Sequence, residues 1–205
     1  GWRGFLAAWG PRDGSEGLLM LAGFSLGLLG VIVARQAAPA FRHPELAVLA
    51  FAVAYFGGIS LGYSFALGAT AARARQMIPF LLVGQLLLLV FLRPIHALLH
   101  PGAVALIRPV GLPAWAPEVL TGAVLSLLIA VVITPLHALV LPRAVALEGR
   151  PLRRCYSLEV AGGAVGVALA PLLTAFGHSI LLVTYCLAVL AMARRIEVEP
   201  GLPDR

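Results

Sequence analysis

Long apolar runs, separated by short breaks that contain arginine, proline or glycine, dominate the chain. A helix that crosses the hydrocarbon core of a membrane needs roughly 20 apolar residues. Six segments approach that length: 17–34, 46–67, 77–92, 117–141, 155–176 and 178–193. The pattern predicts an all-α membrane protein, with a six-helix bundle over residues 17–195. Because only Gly177 separates the last two segments, we expect them to form an antiparallel hairpin.

The two ends of the chain differ from this bundle. In residues 1–16, four bulky apolar side chains recur at helical spacing: Trp2, Phe5, Leu6 and Trp9. Such a face, with two tryptophans, is typical of a helix lying at the membrane surface. The alternative is a tail without fixed structure. We interpret residues 1–16 as an interfacial segment and residues 196–205 as a cytoplasmic tail.

The longest break between apolar segments is residues 94–116. It contains four prolines (Pro94, Pro101, Pro109 and Pro113), each of which disfavours a continuous helix. The third helix is therefore expected to end before Pro94, and short helical pieces are expected to follow at the outer surface. They would cover the bundle or contact a partner.

The arginines indicate an orientation, because cytoplasmic loops of membrane proteins carry an excess of basic residues. All 15 basic residues are arginines. With a cytoplasmic amino terminus, eleven lie inside: Arg3, Arg12, Arg73, Arg75, Arg143, Arg150, Arg153, Arg154, Arg194, Arg195 and Arg205. Four lie outside: Arg35, Arg42, Arg93 and Arg108. We therefore expect both termini to be cytoplasmic, in a bacterial inner membrane.

Composition agrees with this interpretation. Charged residues make up 12% of the chain and hydrophobic residues 60%, whereas a soluble domain carries about 25% charged residues. The net charge is +6, but the arginines lie between apolar segments and form no stripe on one face. We therefore expect the lipid bilayer and other membrane-associated subunits as partners, and no nucleic acid.

Glycines spaced four residues apart occur in three of the predicted helices. The pairs are Gly23 and Gly27, Gly58 and Gly62, and Gly162 and Gly166. Small residues allow helix backbones to approach closely in lipid, where apolar burial supplies no drive for association. The pairs predict a tightly packed bundle, although the sequence does not show which helix each pair faces.

Three polar side chains fall within the predicted helices. Glu159 is interpreted either as a proton- or cation-handling carboxylate, or as a structural group near a helix amino end that pairs with Arg153 or Arg154. His137 follows Pro135 and is expected to bond a carbonyl group freed by that proline. Gln85 is expected to form an interhelical hydrogen bond.

His96 and His100 lie four residues apart, as two metal ligands on one helical face do. Zinc or haem ligation is one interpretation, and two solvated loop histidines are the other. Since no carboxylate or cysteine completes a ligand set nearby in the sequence, no cofactor and no metal are predicted. The sequence also contains no Walker loop, nucleophile elbow or zincin motif, and no catalytic residue is predicted.

Three stretches resemble the membrane domain of integral-membrane spermidine synthase-like proteins. Residues 18–41 read LLMLAGFSLGLLGVIVARQAAPAF, similar to the opening helix of that family and the arginine that ends it. Residues 49–75 resemble its glycine-rich second helix with a basic turn. Residues 141–177 resemble its Leu-Pro entry, Gly-Arg turn and Gly-Ala-x-x-Gly core.

The resemblance implies a fold and an ancestry. Family members carry a cytoplasmic aminopropyltransferase-like domain after the last helix, and this sequence shows no strand–helix alternation of that kind. Spermidine synthase activity is therefore not expected.

Three functions remain open. The first is a non-catalytic membrane subunit that anchors or scaffolds an assembly. The second is a small transporter for a cation such as a polyamine, with Glu159 as its carboxylate. The third is a haem- or quinone-linked subunit that uses His96 and His100.

Overall fold

The computed structural model describes residues 11–37, 71–138 and 149–198, together with the isolated positions Gly57, Ser60, Leu61 and Ser64. Within these residues it contains helices and no strands. The α-helices are α1 (Gly14–Ala37), α2 (Ala71–Ile107), α3 (Ala116–Ala138), α4 (Leu152–Ala175) and α5 (His178–Val198). A 3-10 turn, Arg108–Val110, follows α2. The prediction of an all-helical chain is confirmed for the described residues.

Three of these helices are long and apolar enough to cross a membrane: Gly14–Arg35 in α1, Leu152–Ala175 in α4 and His178–Ile196 in α5. Their lengths of 22, 24 and 19 residues match the roughly 20 residues that span a hydrocarbon core. A fourth candidate span in the described residues is a bent pair in α2. The membrane character predicted from the sequence is thus supported by helix length and composition.

The observed helix ends differ from the predicted ones by a few residues. α1 begins at Gly14 instead of residue 17, and α5 starts at His178 as expected but continues to Val198, into the predicted tail. The predicted second span, 46–67, and Trp2, Phe5, Leu6 and Trp9 of the predicted interfacial helix lie outside the described residues, apart from the four isolated positions.

The apolar helix Gln76–Phe91 matches the predicted third span, 77–92, but the predicted stop before Pro94 is a sharp bend and not an end. α2 continues through Pro94 and Pro101 to Ile107, and its axis bends by 69° between Gln76–Phe91 and Pro94–Val110. Proline removes one helical hydrogen bond and clashes with the preceding turn, so a helix that continues past it bends. Much of the predicted outer loop is therefore the second half of a bent helix.

The chain divides into two compact units. The first comprises Gly1–Ile32, Ala69–Ile78 and Leu136–Arg205, and therefore holds most of α1 with all of α4 and the described length of α5. α4 and α5 form the predicted hairpin, joined at Gly177, whose φ of 130° suits glycine. The largest fully buried side chains of this unit include Leu19, Leu28, Leu158, Leu181, Tyr185 and Met192.

The second unit comprises Val33–Gly68 and Pro79–Pro135. Its described part is built from α2 and α3, which run antiparallel. A methyl group at Gly84 would lie 3.5 Å from Val132 Cγ1, and His100 Nδ1 lies 3.5 Å from Thr121 Oγ1. The connection between the two helices turns at Gly111, whose φ is 73°.

Candidate functional site

Helices α1 and α4 touch backbone to backbone. Methyl groups added at Gly23 and Gly27 would overlap the carbonyl oxygens of Glu159 and Gly163. Methyl groups added at Gly162 and Gly166 would overlap those of Met20 and Phe24. Only glycine fits at these four positions, because any β-carbon would force the helices apart.

The order of these contacts fixes the direction of the helices. Met20 meets Gly162 in the middle of α4, and Gly23 and Gly27 meet Glu159 and Gly163 in that order. Phe24 meets Gly166, so rising numbers in α1 pair with rising numbers in α4 and the two helices run parallel. Gly58 and Gly62 lie outside the described residues.

Ion pairs tie the start of α1 to the start of α4. Arg154 donates from Nε and Nη2 to the two carboxylate oxygens of Glu16, at 3.2 and 2.9 Å. Arg150 Nη2 lies 2.8 Å from Asp13 Oδ2, and its Nη1 lies 3.6 Å from Glu16 Oε1. The Glu16 side chain is only 5% exposed, so this charge is largely removed from solvent and depends on its arginine partner.

The same two carboxylates also cap α1. The Glu16 backbone N–H donates to Asp13 Oδ1 at 2.9 Å, and the Arg12 N–H donates to Glu16 Oε2 at 2.8 Å. This Asp-x-x-Glu pattern satisfies backbone donors at the helix start, as a capping box does. The Glu16 N–H bond, followed by the Arg150 guanidinium, lowers the pKa of Asp13 below its ordinary value. Asp13 and Glu16 were not among the predicted site residues, although the Asp-x-x-Glu spacing in the sequence is a visible signal of this role.

Glu159 lies on the face of α4 that packs against α1. Its side chain is 8% exposed, and its carbonyl group is the one that approaches Gly23. In the structural interpretation of Glu159, its partner is Arg153 or Arg154. Arg154 also forms an ion pair with Glu16 on α1. Glu159 is thus a buried carboxyl group at the closest approach of two helices.

His137, fully buried, forms a hydrogen bond with Ser25 of α1. Its Nε2 lies 2.7 Å from Ser25 Oγ, while Oγ also lies 2.9 Å from the Ala22 carbonyl oxygen. Since the hydroxyl has a single hydrogen, donation to Ala22 leaves it to accept the bond from His137 Nε2–H. The Ser25 side chain is a partner that the sequence interpretation did not include, and the bond of His137 to a carbonyl group freed by Pro135 stays a prediction.

The remaining polar candidates lie in the second unit. Gln85 is fully buried in α2. The rings of His96 and His100 stack with centroids 5.7 Å apart and planes 10° apart. His96 Nε2 is buried without a hydrogen-bond partner in the structure as described. Within that part of the chain, no three His, Cys, Asp or Glu side chains are grouped to hold a metal ion.

Comparison with known proteins identifies no relative: no family model matches the chain, and no curated protein and no solved structure matches it significantly. The resemblance to the membrane domain of spermidine synthase-like proteins therefore stays a prediction from sequence.

Proposed function

We propose that the chain is a non-catalytic multi-pass membrane subunit that anchors or scaffolds a larger assembly, with the fold of the spermidine synthase-like membrane domain. The observation that carries this proposal is the backbone contact of α1 with α4. A transporter that alternates between two states needs a helix interface with two arrangements. The glycine contacts hold the backbones of α1 and α4 at close distance, and ion pairs join the amino ends of the two helices, which favours a fixed helix pair in an anchor.

The outward faces of this unit supply a surface for partners or lipid. Large apolar side chains on α4 and α5 are exposed, among them Val160, Val167 and Leu172 on α4 and Val183 and Leu187 on α5. In a membrane, such side chains pack equally well against lipid chains and against the apolar helices of another subunit.

Six spans with both termini in the cytoplasm belong to the same proposal. Parallel α1 and α4 start on the same side, so the chain between them crosses the membrane an odd number of times. The three apolar segments 46–67, 77–92 and 117–141 supply three crossings. The excess of arginines on this side supports a cytoplasmic location of both termini, in a bacterial inner membrane.

A Gly102→Cys variant is expected to react with an impermeant thiol reagent added from outside; labelling only from the cytoplasm would contradict this orientation.

Native mass spectrometry of the endogenous protein, extracted in mild detergent, tests the subunit proposal. We expect the chain to appear with other polypeptides in a fixed ratio, and a Glu159→Gln variant to keep that ratio. Recovery of the chain alone, or as a homo-oligomer, would contradict a scaffold.

A second candidate is a small transporter for a cation such as a polyamine, favoured by the burial of Glu159 within a candidate span. Uptake of labelled spermidine into proteoliposomes is then expected to be lost in Glu159→Gln and retained in Glu118→Gln, the matched control on α3. No uptake by the wild-type protein would remove this candidate.

A further inference from the structure

Arginines from three helix ends meet at one end of the first unit. The ion pairs place Arg150 and Arg154, at the start of α4, beside the start of α1. Arg195, in the last turns of α5, has its Nη1 3.4 Å from the position of a β-carbon at Gly17. We call Arg12, Arg150, Arg153, Arg154, Arg194 and Arg195 the arginine cluster.

The arginine cluster holds more positive charge than its neighbours neutralise. Residues 11–17, 149–159 and 190–198 contain these six arginines and four carboxylates (Asp13, Glu16, Glu159 and Glu197), a surplus of two positive charges. The ion pairs engage Arg150 and Arg154, whereas Arg153 and Arg194 are exposed. The amino ends of α1 and α4 and the carboxyl end of α5 meet here, so the helix dipoles add a further net positive potential.

The position of the arginine cluster indicates which ligand it can meet. The three helices that end at the cluster match the thickness of a membrane, so the cluster lies at the depth of lipid headgroups. Tyr156 lies one turn along α4 from Arg153 and is 59% exposed, as aromatic side chains at the headgroup level are. Val160 and Val167 continue the same exposed face of α4 towards the membrane interior. A phosphate at Arg153 would thus have an apolar surface directly below it.

From this arrangement we infer that the arginine cluster binds the headgroup phosphate of an anionic phospholipid, with an acyl chain against Tyr156, Val160 and Val167. Guanidinium groups bind phosphate oxygens through charged hydrogen bonds. The exposed Arg153 and Arg194 are the groups available for this bond, while Arg154 and Arg150 hold the helices in place. The inference goes beyond the subunit proposal and does not rest on it.

Native mass spectrometry from nanodiscs of equal phosphatidylglycerol and phosphatidylcholine content tests the inference. We expect the wild-type protein to retain phosphatidylglycerol preferentially. Each arginine near a membrane surface contributes about a fivefold preference for anionic lipid. An Arg153→Gln/Arg194→Gln variant should therefore lower the preference by about 25-fold. The matched control, Arg35→Gln/Arg108→Gln, removes the same charge from exposed positions outside the cluster and should leave the preference unchanged.

Two results would overturn the inference. One is equal retention of the two lipids by the wild-type protein. The other is an equal loss of preference in the cluster variant and in the control, which would indicate a general effect of net charge. A parallel titration with inorganic phosphate separates the two sources of a phosphate group: binding of phosphate with no lipid preference would assign the cluster to a soluble ligand and also overturn it. Thermal melting of both variants, expected to match that of the wild type, verifies that they are folded.

Discussion

Replacing Gly162 with alanine tests the packing of α1 against α4 directly. The added methyl group would overlap the Met20 carbonyl oxygen and would lie 2.9 and 3.0 Å from the Met20 carbonyl carbon and Cα. Non-bonded carbon atoms attract best at about 3.5–4.0 Å. The helices must therefore separate by roughly 1 Å, which forfeits about a quarter to a half of the attraction between facing atoms.

A matched control isolates that contact. Gly30 lies on the same helix as Met20, and a methyl group there would meet nothing within 4 Å. Replacing glycine with alanine stabilises a helix by about 1 kcal/mol at either position. This gain cancels when the stabilities of the two variants are compared. Inserting a methyl group into a close-packed interface costs about 1–3 kcal/mol. We expect Gly162→Ala to be less stable than Gly30→Ala by about 2 kcal/mol.

Thermal unfolding of the two variants in one detergent measures the difference. For a chain of this size, about 2–4 °C in the midpoint corresponds to 1 kcal/mol, so Gly162→Ala should melt roughly 4–8 °C below Gly30→Ala. Equal midpoints, or a higher midpoint for Gly162→Ala, would refute backbone contact between α1 and α4.

Three further outcomes follow from the polar contacts of the first unit. Arg154→Gln should lower stability by about 1–3 kcal/mol in chemical unfolding, because it removes two charged hydrogen bonds from the Glu16 carboxylate; no loss would contradict that pairing. The lowered pKa of Asp13 stabilises the fold above pH 3.8, its ordinary pKa, and this contribution disappears as the pH falls through the lower folded value. Asp13→Asn should therefore show a smaller stability loss on acidification than the wild type, and an unchanged pH profile would show that the carboxylate contributes nothing. Ser25→Ala should cost about 1–3 kcal/mol, because it removes a hydrogen-bond partner from the buried His137; a neutral result would place that histidine's stabilising bonds elsewhere.

The helices of the first unit follow closely from the sequence. Their apolar runs match the thickness of a membrane, and the single Gly177 between the last two predicts the hairpin. The bent helix α2 did not follow, because Pro94 permits either an end or a bend. Whether the helix ends or bends depends on how the residues beyond the proline pack, and the local sequence pattern does not determine that packing.

In the candidate site, too, the local sequence predicts which residues lie at a helix contact but not which distant residues they contact. The spacing of Gly162 and Gly166 marks a close approach, but their partners Met20 and Phe24 lie more than a hundred residues away. Arginine and carboxylate positions were visible, yet the pairing of Arg154 with Glu16 depends on parallel packing of α1 and α4. Propensity and periodicity describe single helices, so interhelical partners need tertiary contacts.

The parallel, glycine-packed pair of α1 and α4 supports the proposed role as an anchor. Spin-label distances measure the direction of the two helices, in a background with Cys155 and Cys186 replaced by alanine. One pair of labels joins Arg12→Cys with Arg153→Cys, and the other joins Arg12→Cys with Phe176→Cys at the far end of α4. At 1.5 Å per residue of helix, we expect the second distance to exceed the first by roughly 25 Å. Equal distances, or a shorter second distance, would contradict the parallel arrangement of α1 and α4.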